Sequence, residues 1–454
     1  MQMRNLGMGL LIGIFILAAS APQAYADKTI EERLAALEKE IQLLKQEREA
    51  QNKVQAKTEV EPPVVTVSKD GFNLKSKDNA FQLKLRGQVQ VDSRYFAGDD
   101  TPGGANTFLL RRVRPTLEGT VFKYFDFRLM PDFGNGTGGF AIQDAWVNYK
   151  YWRAAQFKVG KFKSPVGLER LQSDPAGQFI ETALSTNLVP NRDIGVDLNG
   201  ELFNGALIYD AGVFNGSADN GNGNTATDAD INDDKEFAGR IFALPFKNTS
   251  HEILNGLGIG VGGSAGSAHG LNLPAFRSAG QQTIFGYTPS SGTVSADGIR
   301  IRIAPQAYYY YGPFGALSEF VLTSQDVAKG SQSAKIVNNG WQLAGTYVLT
   351  GENASYGGVV PRNEFDPSKM TWGAFELAAR YSQLSIDDDA FPVFANPLTS
   401  VTDAKAWDIG INWYLNKNLK FMTHFEQTFF GGGNISKTDR NIENVLLSRL
   451  QIYF

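Results

Sequence analysis

The chain has 454 residues, a formal net charge of −4 and no cysteine. The lack of cysteine excludes a disulfide framework and thiolate metal sites, and the near balance of charges gives no sign of a nucleic-acid partner. Aromatic residues make up 12% of the chain and glycine contributes 48 residues, which fits an exported all-β protein, including a membrane barrel.

The first 26 residues are typical of an export signal. Arg4 precedes an apolar run at residues 10–19, and a small-residue site ends at Ala26. The run is shorter than the roughly 20 apolar residues that a spanning helix needs. We therefore predict residues 1–26 to be a Sec signal peptide, and the loss of Arg4 changes the charge from −4 to −5.

A short heptad pattern follows the signal. Apolar residues recur at spacings of four and three, with charged and amide residues between them: Ile30, Leu34, Leu37, Ile41 and Leu44. Such a seam predicts a short coiled-coil helix over residues 27–56, either an oligomerising stalk or a solvated amphipathic helix. The polar, proline-containing residues 57–80 read as a linker.

From residue 81 to residue 454 the apolar pattern has a period of two. About 16 alternating segments of roughly ten residues are bounded by turn residues. Short connections such as 123–124 and 416–418 alternate with long ones such as 216–234, as in bacterial outer-membrane barrels, whose short turns are periplasmic. The sequence thus predicts an all-β fold, an antiparallel transmembrane β-barrel of about 16 strands.

The last segment, NVLLSRLQIYF, separates two faces clearly. A lipid-facing set alternates with a set that we expect to face the lumen. The first set is Leu446, Leu450, Ile452 and Phe454; the second is Leu447, Arg449, Gln451 and Tyr453. A terminal Phe454 on such a strand also resembles the signal by which the barrel-assembly machinery recognises outer-membrane proteins.

The segment FLLRRVRPTLEGTV, residues 108–121, carries more charge than a lipid-facing strand tolerates. Counting in twos puts apolar residues on one face and polar residues on the other. The first face has Leu109, Val113, Leu117 and Val121; the second has Arg112, Arg114, Thr116, Glu118 and Thr120. Arg112 and Arg114 should therefore face the lumen, Arg111 should face outward near a rim or a subunit interface, and Pro115 suggests a bulge.

The same counting places further charged residues inside the barrel. They are Arg128, Asp132, Arg240, Arg300 and Arg302. Each could simply lie on a solvated face. Together they predict a lumen with both signs of charge and several guanidinium groups, suited to passing small anions.

Several stretches in order resemble the phosphate-selective porin O and P family. They include RRVRPTLEGTVFKYFDFRLMPDFGNG, IQDAWVNYKY, VGKFKSPVGLERLQSD, TNLVPNRDIGV, AGRIFALPF and GAFELAARYS. The resemblance implies a 16-stranded outer-membrane barrel that assembles as a homotrimer. It also implies that the third extracellular loop, here residues 162–193, folds into the lumen.

The resemblance further implies a pore narrowed by lysine and arginine side chains. Arg170 matches a basic position of the inward loop. We expect Arg170, Arg112, Arg114 and Arg240 to contribute most to anion passage, with Lys163 and Arg128 as secondary candidates. Ala183 stands where a second arginine would be expected, and the later loop has only Arg277. These departures favour general anion passage over tight phosphate binding.

Other functions have weaker support in the sequence. The run GIGVGG at residues 258–263 imitates a nucleotide-binding loop but lacks the following helix. The three histidines have no metal-site spacing, and no Ser/His pair suggests a barrel lipase, so we expect no enzyme, cofactor or metal centre. The predicted partners are small anions such as phosphate and outer-membrane lipid or lipopolysaccharide. The alternatives are a general or differently selective porin, or a structural outer-membrane tether with an incidental pore.

Overall fold

The computed structural model describes residues 30–58, 62–69, 71–98, 104–134, 141–216, 230, 232–436 and 438–454. The chain divides into two units, Met1–Pro62 and Pro63–Phe454. The predicted signal peptide lies outside the described residues. No helix in the described part of the chain is both long enough and apolar enough to cross a membrane.

The described part of the first unit contains one helix, α1, Ile30–Thr58. Its predicted seam residues are all exposed: Ile30, Leu34, Leu37, Ile41 and Leu44. A solvent-exposed apolar stripe is what a coiled-coil helix presents in the absence of partners, so the stalk stays a prediction.

The second unit is mostly antiparallel sheet. Its strands are β1 Val64–Ser68, β2 Gly71–Lys75, β3 Gln82–Phe96, β4 Thr107–Val121, β5 Phe125–Asp132, β6 Ala141–Trp152, β7 Ala155–Lys163, β8 Arg192–Leu202, β9 Leu207–Phe214, β10 Glu236–Ala243, β11 Leu257–His269, β12 Phe276–Arg277, β13 Thr283–Phe285, β14 Ser295–Tyr311, β15 Phe314–Lys329, β16 Gln332–Val348, β17 Ala374–Ser385, β18 Val401–Tyr414, β19 Leu419–Gly432 and β20 Glu443–Tyr453. The helical pieces are α2 Leu168–Leu171 and the 3₁₀ turns Asp174–Ala176, Leu184–Leu188, Phe203–Gly205, Glu252–Leu254, Pro367–Lys369 and Asp388–Ala390.

Sixteen of the described strands, β3 to β11 and β14 to β20, form a closed barrel in which each pairs with its neighbour in this order. The last strand closes the barrel on the first, for example through Leu450 opposite Val91. Closure leaves no unpaired barrel edge, which a membrane-spanning sheet requires. The prediction of a barrel of about 16 antiparallel strands is confirmed.

Strand β20 has the two faces that its sequence predicts. Leu446, Leu450 and Ile452 are exposed on the outside, whereas Arg449 and Gln451 are buried on the inside. Polar side chains are inexpensive in a lumen and costly against lipid, so this alternation fixes the register.

Strand β4 contains a bulge that reverses one prediction. Gln90 of β3 lies opposite Arg112, but the next residue, Val91, lies opposite Leu110, so Arg111 is the extra residue. Consecutive residues of a regular strand face opposite sides, but a bulge brings Arg111 to the inside beside Arg112. The outward placement of Arg111 was wrong, and so was that of Leu109, which lies opposite the inward Asp92. The bulge predicted at Pro115 was also wrong, because Pro115 pairs regularly with Gly87.

The predicted linker at residues 57–80 also needs correction, because it contains the hairpin of β1 and β2. Strand β2 pairs with residues 82–85 at the start of β3, and β20 pairs with residues 88–96 of the same strand. The Phe454 ring lies edge-on to Phe72, with 6.3 Å between ring centroids. Two backbone hydrogen bonds of 3.0 Å also join Phe454 to Gly87. The hairpin therefore extends the barrel wall beside its closing seam.

The connections are mostly short at one end of the barrel and long at the other. Three exceptions stand out: residues 330–331 form a short connection at the long-loop end, and residues 244–256 and 349–373 form long ones at the short-turn end. The two long connections contradict the expectation that all turns at that end are short, and residues 349–373 contribute to the lumen.

Candidate functional site

The connection between β7 and β8, residues 164–191, folds against the inner wall of the barrel. The backbone N–H of Leu168 donates to Glu319 on β15 at 2.6 Å, and Lys420 on β19 donates to the carbonyl of Gly177 at 2.7 Å. Its apolar residues Leu168, Ile180 and Leu184 are buried. These contacts place the loop, called the inner loop below, across the lumen.

Arg380 on β17 holds the inner loop by charge. Its guanidinium donates to Glu169 of the loop at 2.9 Å, and it contacts Asp408 at 3.3 Å and Glu426 at 3.4 Å on the neighbouring strands. It also donates to the backbone carbonyl of Glu181 at 3.0 Å. One buried arginine thus faces three carboxylates, so the inner loop depends on its charge.

The start of the inner loop packs on a glycine of β11. The Val166 carbonyl accepts a 2.8 Å hydrogen bond from Gln306, and a Cβ added at Gly262 would lie 2.1 Å from that carbonyl oxygen. The glycine-rich run at residues 258–263 therefore serves close backbone approach here, and only a residue without a side chain leaves room for the loop.

Gly262→Ala is accordingly expected to push the start of the inner loop off the wall and to destabilise the barrel by about 1–3 kcal/mol. Guanidinium unfolding in detergent measures the loss. Gly345→Ala is the matched control, because a Cβ at Gly345 meets no atom within 4 Å. Equal stability of the two variants would contradict the close packing.

Two further segments join the inner loop inside the barrel. From the short-turn end, the Tyr356 hydroxyl donates to the Leu168 carbonyl at 2.6 Å. From the long-loop end, the backbone N–H of Arg277 donates to Asn187 at 2.9 Å. The lumen is therefore narrowed from both ends.

Aromatic residues also line this region. Tyr308 faces inward and lies 5.3 Å from the Tyr356 ring and 5.0 Å from the Phe242 ring, centroid to centroid. The run of four tyrosines at residues 308–311 by itself predicts an interfacial aromatic girdle. That prediction is wrong for Tyr308 and Tyr310, which belong to the inner aromatic cluster, because alternation sends half of a tyrosine run inward.

The arginines of β4 are neutralised by nearby acids. Arg111 donates to Glu181 at 2.8 Å, and Arg114 donates to Asp132 at 2.7 Å and also pairs with Asp174. Arg112 lies 3.6 Å from Asp174.

Two of these acids belong to the inner loop. Burial alone would raise the pKa of the Asp174 carboxyl, but Arg112 and Arg114 hold it well below its usual value. Burial opposes ionisation of Glu181 in the same way, and Arg111 lowers its pKa. Both loop acids therefore carry charge at neutral pH and offset the arginines that face them.

Three other predicted site residues are also paired. Arg300 and Arg302 share Glu236, with Arg300 at 2.6 Å. Arg128 lies 3.4 Å from Glu118 and 3.7 Å from Asp144. These side chains face the lumen as predicted from alternation, but much of their charge is balanced within the wall.

Lys163 and Arg240 have neutral partners. Lys163 donates to the Gln172 carbonyl at 2.7 Å, and Arg240 donates to the Gln306 side chain at 2.8 Å and stacks 4.3 Å above the Phe242 ring. Neither has a carboxylate within 4.0 Å among the residues that the structure describes. Arg170 donates to the Thr186 carbonyl at 3.3 Å within the inner loop.

An open space of about 300 Å³ lies between the inner loop and the opposite wall. Its lining mixes charges with apolar side chains such as Trp146 and Phe162. The basic residues are Arg86, Arg128, Lys158, Lys163 and Arg192, and the acidic ones are Asp144, Asp174, Asp197 and Asp210. We interpret this space as the ion pathway.

Sequence reasoning missed three basic residues of this pathway, namely Arg86, Lys158 and Arg192. Lys158 could have been found, because it alternates with the outward residues Phe157 and Val159. Arg192 had no such signal, since it begins β8 directly after an irregular loop, where the period of two gives no register.

Comparison with known proteins gives consistent matches. The family described as phosphate-selective porin O and P matches residues 83–454. Porin O of Pseudomonas aeruginosa is 26% identical over 421 residues, covering 84% of this chain and 89% of that protein. The outer membrane channel DcaP of Acinetobacter baumannii has a TM-score of 0.53 at 12% identity, covering 85% of this chain and 99% of that chain. OprB of Pseudomonas putida has a TM-score of 0.51 at 12% identity, with coverages of 83% and 94%. The similarity to these two solved structures shows the fold alone.

Proposed function

The chain belongs to the phosphate-selective porin O and P family, and from that premise we propose that its lumen passes small anions, phosphate among them, by diffusion. It is a β-barrel porin of the Gram-negative outer membrane. Porin family membership implies a channel, and we propose that the chain has no enzymatic activity. The short-turn end is then periplasmic and the long-loop end extracellular.

The observation that carries the proposal is the unequal pairing of the lumen's basic groups. Arg112, Arg114, Arg300 and Arg302 face internal carboxylates, which compete with any passing anion. Lys163 and Arg240 donate to carbonyl or amide oxygens, so we propose that their charge attracts an anion, Lys163 from the lining of the ion pathway and Arg240 from outside that lining. Arg170 and Arg128 are secondary contributors in this proposal.

Such an arrangement favours passage over retention. Charge-assisted hydrogen bonds attract phosphate to the available cations, whereas the paired arginines add only moderate attraction. Conduction requires that an anion leave as readily as it enters, and several moderate sites satisfy this better than one tight site. We therefore propose general passage of small anions with weak phosphate preference.

The double substitution Lys163→Gln/Arg240→Gln tests the assignment. It removes two lumen cations that have no carboxylate within 4.0 Å among the described residues, and it is expected to lower the ratio of anion to cation permeability at least about threefold, because fixed charge sets the counter-ion concentration in a narrow pore. The reversal potential in a planar bilayer under a KCl gradient measures this ratio. Arg153→Gln, at an exposed ion pair outside the lumen lining, is the control. An unchanged ratio in the double variant would reject the assignment.

The partner assignments remain proposals. We propose a homotrimer, supported by the family resemblance, with outer-membrane lipid and lipopolysaccharide around it and the barrel-assembly machinery reading Phe454 during insertion. The exposed seam of α1 supports an oligomerising stalk. A tether function for that stalk is the alternative, and it leaves the pore assignment unchanged.

A further inference from the structure

We propose that Lys158 is a tethered counter-ion: its ammonium fills a latent cation-binding pocket in the lumen wall and thereby keeps the pore anion-selective. The inference rests on the proposed function, since it explains how a lumen with many acids prefers anions. It assigns to Lys158 the role of a selectivity determinant that needs no direct contact with the passing anion.

Aromatic rings form one side of this pocket. The Lys158 ammonium nitrogen lies 5.0 Å from the centroid of the Phe162 ring and 5.7 Å from that of Trp146. Both distances lie within the range at which a ring face attracts a cation. The ammonium thus rests against the wall of the pathway between two ring faces.

Carboxylates form the other side. Asp197 on β8 lies directly opposite Lys158 in the strand register, and Asp210 on β9 pairs with Asn199, two residues further along β8. Asp197 and Asp210 have no ion-pair partner within 4.0 Å among the residues described. Asp197 is 2% exposed, and one of its carboxylate oxygens has no hydrogen-bond partner. Lys158 is the basic residue directly opposite Asp197, whereas Asp210 has Arg240 of β10 opposite it.

The charge balance of the pathway depends on this one lysine. Five basic and four acidic side chains line the space between the inner loop and the wall. Without Lys158 the two counts are equal, and Asp197 loses the basic residue that lies opposite it. A local surplus of negative charge would then draw cations into the pathway.

The ligand class follows from the lining. Two ring faces and two carboxylates are the groups that recognise organic ammonium ions. In the wild type the lysine's own ammonium occupies the pocket and excludes them. Removal of that ammonium should therefore create an affinity for small organic cations such as choline.

Lys158→Met tests the inference, with Lys163→Met as the matched control, since both remove one lysine charge from the same pathway. Both variants should become less anion-selective, but choline chloride at millimolar concentration should reduce the K⁺ current only in the Lys158→Met variant. We expect at least a threefold stronger choline block than in the wild type. Lys158→Arg should keep the wild-type selectivity.

The acids provide the second test. Adding Asp197→Asn and Asp210→Asn to the Lys158→Met variant should abolish the choline block and restore anion preference. Equal choline responses in the two lysine variants, or a block that survives removal of both acids, would overturn the inference. Heat-dependent gel mobility establishes that each barrel is folded. A wild-type pore without anion preference would instead refute the proposed function. The failure of that function can therefore be told apart from the failure of the inference about Lys158.

Discussion

Arg380→Met should destabilise the barrel by about 3–5 kcal/mol and release the inner loop, because it leaves the buried Asp408 and Glu426 and the partly buried Glu169 without their shared cation. The side chains of Arg380, Asp408 and Glu426 are at most 4% exposed, so water cannot replace the lost charge. The methionine fills similar volume, and the loss therefore reports charge more than packing. Guanidinium unfolding in detergent measures the destabilisation, and single-channel recording should show noisier current as the loop moves.

The exposed pair of Arg153 and Glu201 supplies the control. These side chains are 70% and 36% exposed, and exposed pairs contribute at most about 1 kcal/mol. Arg153→Met should accordingly leave stability nearly unchanged. If the Arg380→Met variant were as stable as the Arg153→Met variant and its single-channel current were no noisier, the inner loop would be held by its apolar contacts alone.

Asp174→Asn should strengthen phosphate block of the current. The substitution keeps the side-chain shape but removes the charge that offsets Arg112 and Arg114. We expect the half-blocking phosphate concentration to fall about tenfold. The free energy that this change represents is smaller than the interaction of roughly 4 kcal/mol between two unit charges 4 Å apart at an effective dielectric constant of about 20. Anion preference in a KCl gradient should rise as well.

Asp388→Asn is the matched control for charge, because Asp388 is exposed in the connection between β17 and β18. It should change neither the phosphate block nor the reversal potential measurably. Weaker phosphate block in the Asp174 variant would contradict the view that internal carboxylates limit anion binding by the arginines.

The sequence predicted the barrel because each spanning strand repeats the same simple requirement. Leu446, Leu450 and Ile452 must face outward and Arg449 inward, and this alternation can be recognised in the sequence without knowing which strands are neighbours. The same reading failed at Arg111, where one bulge residue reversed the count. Alternation predicts which face a residue takes only as long as the strand stays regular.

The pairing of charges could not be predicted from alternation. Arg112 and Arg114 face the lumen, but their availability depends on Asp174, which is about 60 residues away in an irregular loop. Glu236 likewise balances Arg300 and Arg302 from another strand. The family resemblance implies a role for basic residues, whereas the proposed selectivity depends equally on the acids that face them.

Anion passage through this lumen is best tested by the reversal potential of the purified wild-type protein in a planar bilayer under a KCl gradient, repeated with added phosphate. The proposed function predicts a potential on the chloride side and a current that phosphate reduces in a graded, readily reversible way. A potential near zero or on the potassium side, with no effect of phosphate, would contradict anion passage through this lumen.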